Sequence, residues 1–169
     1  MTEWENIIRE HGPAAWRAAY RLVGNRSDAD ECMQEAFVAA LAASRREPVR
    51  NWSALLRKLA VLRGIDCLRL RARDPLRSGN GGGLAEAASR DAPPDQAAQN
   101  GELTARLRQA LARLPSRHAD VVCLRYLNEM TYEEISQELR VSVRHVGVIL
   151  SRAREKLREL LKEGGADNG

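Results

Sequence analysis

The stretch from Asn128 to Lys162, NEMTYEEISQELRVSVRHVGVILSRAREKLRELLK, holds two helical periodicities separated by a break too short for anything but a tight corner. Thr131 stands three residues before Glu134, the spacing at which a hydroxyl and a carboxylate cap each other's end of a helix. Ile135 and Leu139 fall one turn apart on one face, with Glu133, Glu134, Gln137 and Glu138 mostly outside it. The pattern breaks at Arg140 and Val141. Ser142 then offers a second cap, and Val143, Val146, Leu150, Ala153 and Leu157 follow at intervals of three and four. A short helix, a tight turn and a longer helix are the elements of a helix-turn-helix. Between Arg140 and Arg158 there are six basic residues against one acid, Glu155, whereas the preceding helix is acidic. Positive charge gathered on the second helix suits a reader of the DNA major groove. An αα-hairpin whose arginines are only a solvated face satisfies the same pattern.

The rest of the chain repeats the helical theme. Trp4, Ile7 and Ile8, then Gly12-Pro13, then Ala15, Trp16, Ala19, Leu22 and Val23 predict a short helix, a break and a second helix stopped at Gly24. Ser27 and Asp30 have cap-like spacing at the head of the next helix. Asp28, Asp30 and Glu31 lie in its first turn, where they complement the helix dipole. Met33, Phe37, Ala40 and Leu41 form its predicted apolar stripe, and Pro48 closes it. Asn51 or Ser53 starts a long helix whose Leu55, Leu56, Leu59, Leu62, Ile65, Cys67 and Leu68 cover more than half its circumference. Nine basic residues and two acids lie between Arg45 and Arg73, and such crowding of like charge suits a polyanionic partner.

Residues 74–101 change character, with Gly81-Gly82-Gly83, Pro93-Pro94, Ser, Ala and Asn; they read as a flexible linker. A phosphate-gripping loop at the glycines would need a following Lys-Ser/Thr and a preceding apolar strand, and neither is there. Helical periodicity returns at Leu103, Leu107, Leu111 and Leu114, restarts after Pro115-Ser116 and runs through Val121, Val122, Leu124 and Leu127. The expected architecture is all-α: a helical domain at 1–73, the linker at 74–101, a four-helix module at 102–163 ending in the helix-turn-helix, and a frayed tail at 164–169. Each domain carries one basic surface, and two weak polyanion sites on one tether reinforce each other through effective concentration.

Composition narrows the classes. Seven aromatic residues in 169 suit small bundles packed by Leu, Ala and Val better than a β-sandwich. Cys32, Cys67 and Cys123 are far apart in sequence, form no C-x-x-C pair, and with His11, His118 and His145 supply no metal-ligand spacing. They read as reduced core thiols in a cytoplasmic protein with no metal and no cofactor. The charged start, MTEWENIIREHG, and the lack of any apolar span of about 18 residues argue against secretion or membrane insertion. No paired carboxylates or nucleophile-base set suggests an enzyme.

The order of parts resembles the extracytoplasmic-function subgroup of the sigma-70 family of bacterial RNA polymerase sigma factors. In GPAAWRAAYRLVGNRSDADECMQEAFVAAL, the residues Asp28, Ala29, Asp30, Glu31, Gln34, Glu35 and Phe37 match the signature of the family's second region; Asp66, Leu68 and Arg69 match its I/L-D-x-L-R ending. Toward the C-terminus, Leu114, Pro115, Leu124, Arg125, Tyr126, Tyr132, Glu134, Ile135, Val143, Val146, Ser151, Arg152, Ala153, Arg154, Leu157 and Arg158 match the fourth region.

The resemblance implies that Asp28, Asp30, Glu31, Gln34, Glu35 and Phe37 bind core RNA polymerase. It implies that Trp52, Arg57, Lys58, Arg63, Arg69, Arg71 and Arg73 serve the −10 element of promoter DNA. Ser142, Arg144, His145, Val148, Ser151, Arg152 and Arg154 would serve the −35 element. An anti-sigma factor is the implied regulator, and the free chain is expected to be a monomer. The sequence departs from the family at Leu55, where Trp is common, with Trp52 a turn earlier. It departs again at Gly147-Val148 in the recognition helix, where side chains cannot hydrogen-bond bases, which predicts an unusual −35 preference. Two other classes fit the same parts: a sigma mimic that sequesters an anti-sigma factor, and a stand-alone helix-turn-helix regulator.

Overall fold

A computed structural model describes residues 2–74 and 105–166. All but the first residue of the expected linker, and residues 167–169 of the expected tail, lie outside the described residues. Those described are helices and short connections, with no strand among them. The chain divides into two compact units, Met1–Cys67 and Leu68–Gly169, so the division falls within a helix.

In the first unit, α1 (Glu3–Val23) begins with a reciprocal cap: Thr2 Oγ1 accepts from the Glu5 N–H at 3.2 Å and Glu5 Oε2 accepts from the Thr2 N–H at 2.8 Å. The break expected at Gly12-Pro13 is absent, and α1 runs unbroken with Pro13 inside it. A proline withdraws one backbone donor and crowds the preceding turn. Packing on both sides of it overrides that local preference. Ile7, Ala15, Ala19, Leu22 and Val23 are buried, and a Cβ on Gly12 would sit 3.5 Å from Phe37 Cζ of the neighbouring helix. The stop at Gly24 is as expected, with φ 78° and its N–H donating to Tyr20 O at 2.8 Å.

Helix α2 (Arg26–Arg46) starts two residues earlier than expected. Its cap is Asn25, whose side chain accepts from the Asp28 N–H at 2.9 Å, and not Ser27. Ala29, Cys32, Met33, Ala36 and Ala40 form the buried face. Leu41, expected in that stripe, is 36% exposed: it lies one residue round from Ala40, on the outer side of the helix. Helix α3 (Trp52–Arg73) is capped by Asn51, whose Oδ1 accepts from the Ala54 N–H at 3.0 Å. Leu56, Ala60, Val61 and Ile65 are fully buried, while Leu55, Leu59, Leu62 and Cys67 are half-buried.

The second unit contains the expected four helices: α4 (105–113), α5 (Ser116–Tyr126), α6 (Tyr132–Leu139) and α7 (Val143–Ala166). Their shared core includes Leu111, Leu114, Val121, Leu124, Ile135, Val146, Leu150 and Ala153. The last helix continues through Ala166, three residues into the stretch expected to fray.

Candidate nucleic-acid interface

The corner between α6 and α7 is built as its sequence dictates. Thr131 Oγ1 accepts from the Glu134 N–H at 3.1 Å, and Glu134 reaches back to the Thr131 N–H, so the capping box closes. Arg140 ends α6 in the left-handed region at φ 56°. The Val141 N–H donates to Ser136 O at 3.1 Å, and the Ser136 hydroxyl donates to Val141 O at 2.6 Å. Ser142 Oγ then accepts from the His145 N–H at 3.1 Å and starts α7. Two arginines of α5 hold the two ends of α6. Arg117 donates to Leu139 O at 3.0 Å; Arg125 donates to Met130 O at 2.9 Å and stacks 5.4 Å from the Tyr132 ring centre.

This bracing fixes the rotation of α7. Val146, Ile149, Leu150, Ala153 and Leu160 face the core. The helical period therefore puts Arg144, Val148 and Ser151 at the centre of the solvent side, with His145 and Arg152 on one flank, all exposed. Ser142 is exposed too, but its oxygen is engaged as the cap. Arg154 belongs to the opposite flank: its Nε donates to Tyr126 Oη at 2.6 Å, and its guanidinium lies 5.4 Å from that ring's centre. A Cβ on Gly147 would meet only Tyr132 Cε2 at 3.8 Å, ordinary contact, so no close approach requires glycine there.

In the first unit the expected partner-binding residues separate into exposed and structural ones. Glu31, Gln34 and Glu35 are exposed on α2. Asp28 belongs to the N-terminal cap, its carboxylate accepting from Asn25 Nδ2 at 2.9 Å. Asp30 accepts from Trp16 Nε1 at 2.8 Å and ties α2 to α1. Phe37 is half-buried, edge-on to Trp4 with centroids 6.3 Å apart. Sequence reasoning missed Val38, which is 70% exposed and, with Leu41, adds an apolar element to the face of Glu31 and Gln34. The signal was present: Val38 falls seven residues from Glu31 and four from Gln34, off the stripe of Met33 and Ala40.

The expected −10 residues are dispersed along α3. Trp52 is half-buried, edge-on to Trp4 with centroids 5.4 Å apart and planes at 73°. Arg57 and Lys58 are half-buried, and Arg57 Nε is buried without a hydrogen-bond partner. Arg63 Nε lies 3.9 Å from Glu35 Oε2, both groups about half exposed, so a proposed DNA contact and a proposed polymerase contact are neighbours. Arg69 and Arg71 are half-buried and Arg73 is exposed. Among the described residues no group of three or more potential metal ligands occurs, and no helix is long and apolar enough to cross a membrane.

An all-α chain with a braced helix-turn-helix and an acidic-apolar helix face is the kind of protein that binds nucleic acid and a protein partner together. Comparison with known families narrows the class. Residues 7–74 match Sigma-70 region 2, and residues 110–159 match Sigma-70, region 4. The chain belongs to the sigma-70 family, in its extracytoplasmic-function subgroup. It is 28% identical to the ECF RNA polymerase sigma factor SigE of Mycolicibacterium smegmatis over 99% of its own length, and spans 65% of that relative. It is 26% identical to the ECF RNA polymerase sigma factor SigW of Bacillus subtilis, covering 94% of this chain and 88% of SigW. Its fold is similar to the sigma factor RpoE solved with the anti-sigma factor NepR from Bartonella quintana, with a TM-score of 0.54 and 18% identity over 96% of this chain and 98% of that one.

Proposed function

We propose that the chain is a specificity subunit of bacterial RNA polymerase, a binding protein and not a catalyst, that directs transcription initiation at promoters and acts in the cytoplasm. The observation that carries this is the outer side of α7: exposed Arg144, His145, Val148, Ser151 and Arg152 are presented by a corner braced at both ends. Arginines on its flanks suit phosphates, and Val148 suits the methyl group of thymine. Glu31, Gln34, Glu35, Val38 and Leu41 on α2 suit a protein surface of basic and apolar character, which we assign to core polymerase. Arg57, Lys58, Arg63, Arg69, Arg71 and Arg73 supply positive charge for the −10 region. Trp52 is better suited to holding Trp4 than to receiving a base. The relatives' names support the promoter role, and the RpoE–NepR likeness supports control by an anti-sigma factor.

The test is run-off transcription from a pool of genomic fragments with core polymerase, with and without the protein. New transcripts sharing two upstream motifs establish the function. Binding to core without new transcripts overturns it in favour of a sigma mimic. Site-specific DNA binding without polymerase points to a stand-alone regulator.

A further inference from the structure

Tyr126 ends α5 with 52% of its surface exposed, and Arg154 stands exposed beside it on the flank of α7. The two side chains touch twice. Arg154 Nε donates to Tyr126 Oη at 2.6 Å, and the guanidinium carbon lies 5.4 Å from the centre of the same ring. Among the described residues Arg154 makes no ion pair and no second hydrogen bond. Arg125 is a contrast: it stacks on Tyr132 at the same 5.4 Å, but it commits a terminal nitrogen to Met130 O at 2.9 Å and so closes a loop.

An arginine held through Nε keeps both terminal nitrogens, the pair that meets a phosphate as a fork. The group that holds it is neutral, so the whole positive charge remains available. Tyr126 Oη accepts from Nε and retains its own hydrogen to donate elsewhere. Stacking and hydrogen bond together fix the guanidinium plane before a ligand arrives, so less side-chain freedom is lost on binding. Gly147 lies seven residues before Arg154, about two turns along the same line of α7, and has no side chain to cover that flank.

We infer that Tyr126 and Arg154 form a seat for one phosphate of the DNA backbone, beside the base-reading side of α7. Arg154 supplies the charge and the forked donors. Tyr126 positions the guanidinium and adds a hydroxyl donor. The seat rests on the reading that α7 enters the major groove. A backbone contact carries no sequence information, but it fixes the register and orientation in which Arg144, Val148 and Ser151 meet base edges.

The experiment uses the full chain with core polymerase and a promoter fragment recovered by the run-off test. Each phosphate around the upstream motif is replaced in turn by an uncharged methylphosphonate, and binding is followed by fluorescence anisotropy. One position should weaken the parent by about tenfold and have little further effect on Arg154→Gln. Tyr126→Phe keeps the ring and loses the hydroxyl; it should bind about two- to tenfold more weakly, with an unchanged salt slope. Arg154→Lys keeps the charge without the fork and should keep the slope but lose most of the coupling to that phosphate. Circular dichroism checks folding, and the variants of exposed Arg154 decide the matter if Tyr126→Phe does not fold. Arg152→Ala is the control for the groove reading. If it weakens binding while no phosphate couples to Arg154, the seat is overturned and the groove reading stands. If neither Arg152 nor Arg154 matters, both fall. Parent-like binding by folded Tyr126→Phe removes the tyrosine from the seat and overturns the inference.

Discussion

The indole Nε1 of Trp16 donates to Asp30 Oδ1 at 2.8 Å and fastens α1 to α2 across the outer edge of the first unit. The family resemblance places Asp30 on the polymerase-binding face, but this bond gives it structural work. Trp16→Phe and Asp30→Ala should each destabilise the protein by about 0.5–1.5 kcal/mol and fall short of additivity when combined. Urea titration of the two single variants and the double variant measures the coupling. Strict additivity would show that the bond contributes nothing in solution.

Two helical glycines should respond to alanine in opposite directions. A Cβ at Gly64 would lie 2.9 Å from Leu22 Cδ1 and 3.3 Å from Leu22 Cβ, so α1 and α3 must separate or repack. Gly64→Ala should cost about 1–3 kcal/mol. At Gly147 the nearest atom is Tyr132 Cε2 at 3.8 Å, and alanine should stabilise α7 by up to about 1 kcal/mol through helix propensity. Thermal melts of both variants check the signs. A Gly147→Ala variant that melts higher but binds promoter less well would place the glycine backbone against DNA.

Arg152 and Arg154 are two residues apart yet face different surroundings. Arg152 is exposed beside the centre of the outer face, whereas Arg154 is held by Tyr126 at 2.6 Å. Arg152→Ala should weaken promoter binding and reduce the slope of log affinity against log salt by about one, with core binding unchanged. Tyr126→Phe should leave that slope alone and lower the melting temperature. Fluorescence anisotropy across a salt series, with core polymerase present, separates the two effects. An unchanged slope for Arg152→Ala removes it from the DNA surface.

The helix-turn-helix was legible because its signals are local. Thr131, Glu134 and Ser142 cap where their spacing says they should, and Arg140 breaks the helix where the periodicity breaks. The misreadings arose where contacts distant in sequence decide. Pro13 stays inside α1 because residues on both sides of it pack into the core. The cap of α2 is the exception, decided locally: Gly24 turns the chain one residue before Asn25, which takes the cap in place of Ser27. The pairing of Trp52 with Trp4 and of Arg63 with Glu35 could not be read from spacing, because each joins different helices.

Cys123 makes the stability of the second unit depend on alkaline pH. Burial is the main cause that pushes its thiol up to about 12, aided by the charge of Asp120 and opposed by that of Arg69. A thiol raised on folding stays neutral in the native state, while the unfolded chain releases its proton above about 9, the ordinary thiol value. Its contribution is therefore fully present below pH 9 and is lost as pH rises from about 9 toward 12. By pH 10.5 the loss should be about 2 kcal/mol, from the proton released only by the unfolded chain. Cys123→Ala leaves a smaller side chain in the core and lowers stability at every pH, so the absolute values do not discriminate. The slope does: between pH 8 and 10.5 the variant should lose about 2 kcal/mol less than the parent in urea titrations under reducing conditions. Tyr and Lys titrate in the same range but do so in both proteins, and parallel curves would show that the Cys123 thiol ionises in the fold as readily as in the unfolded chain.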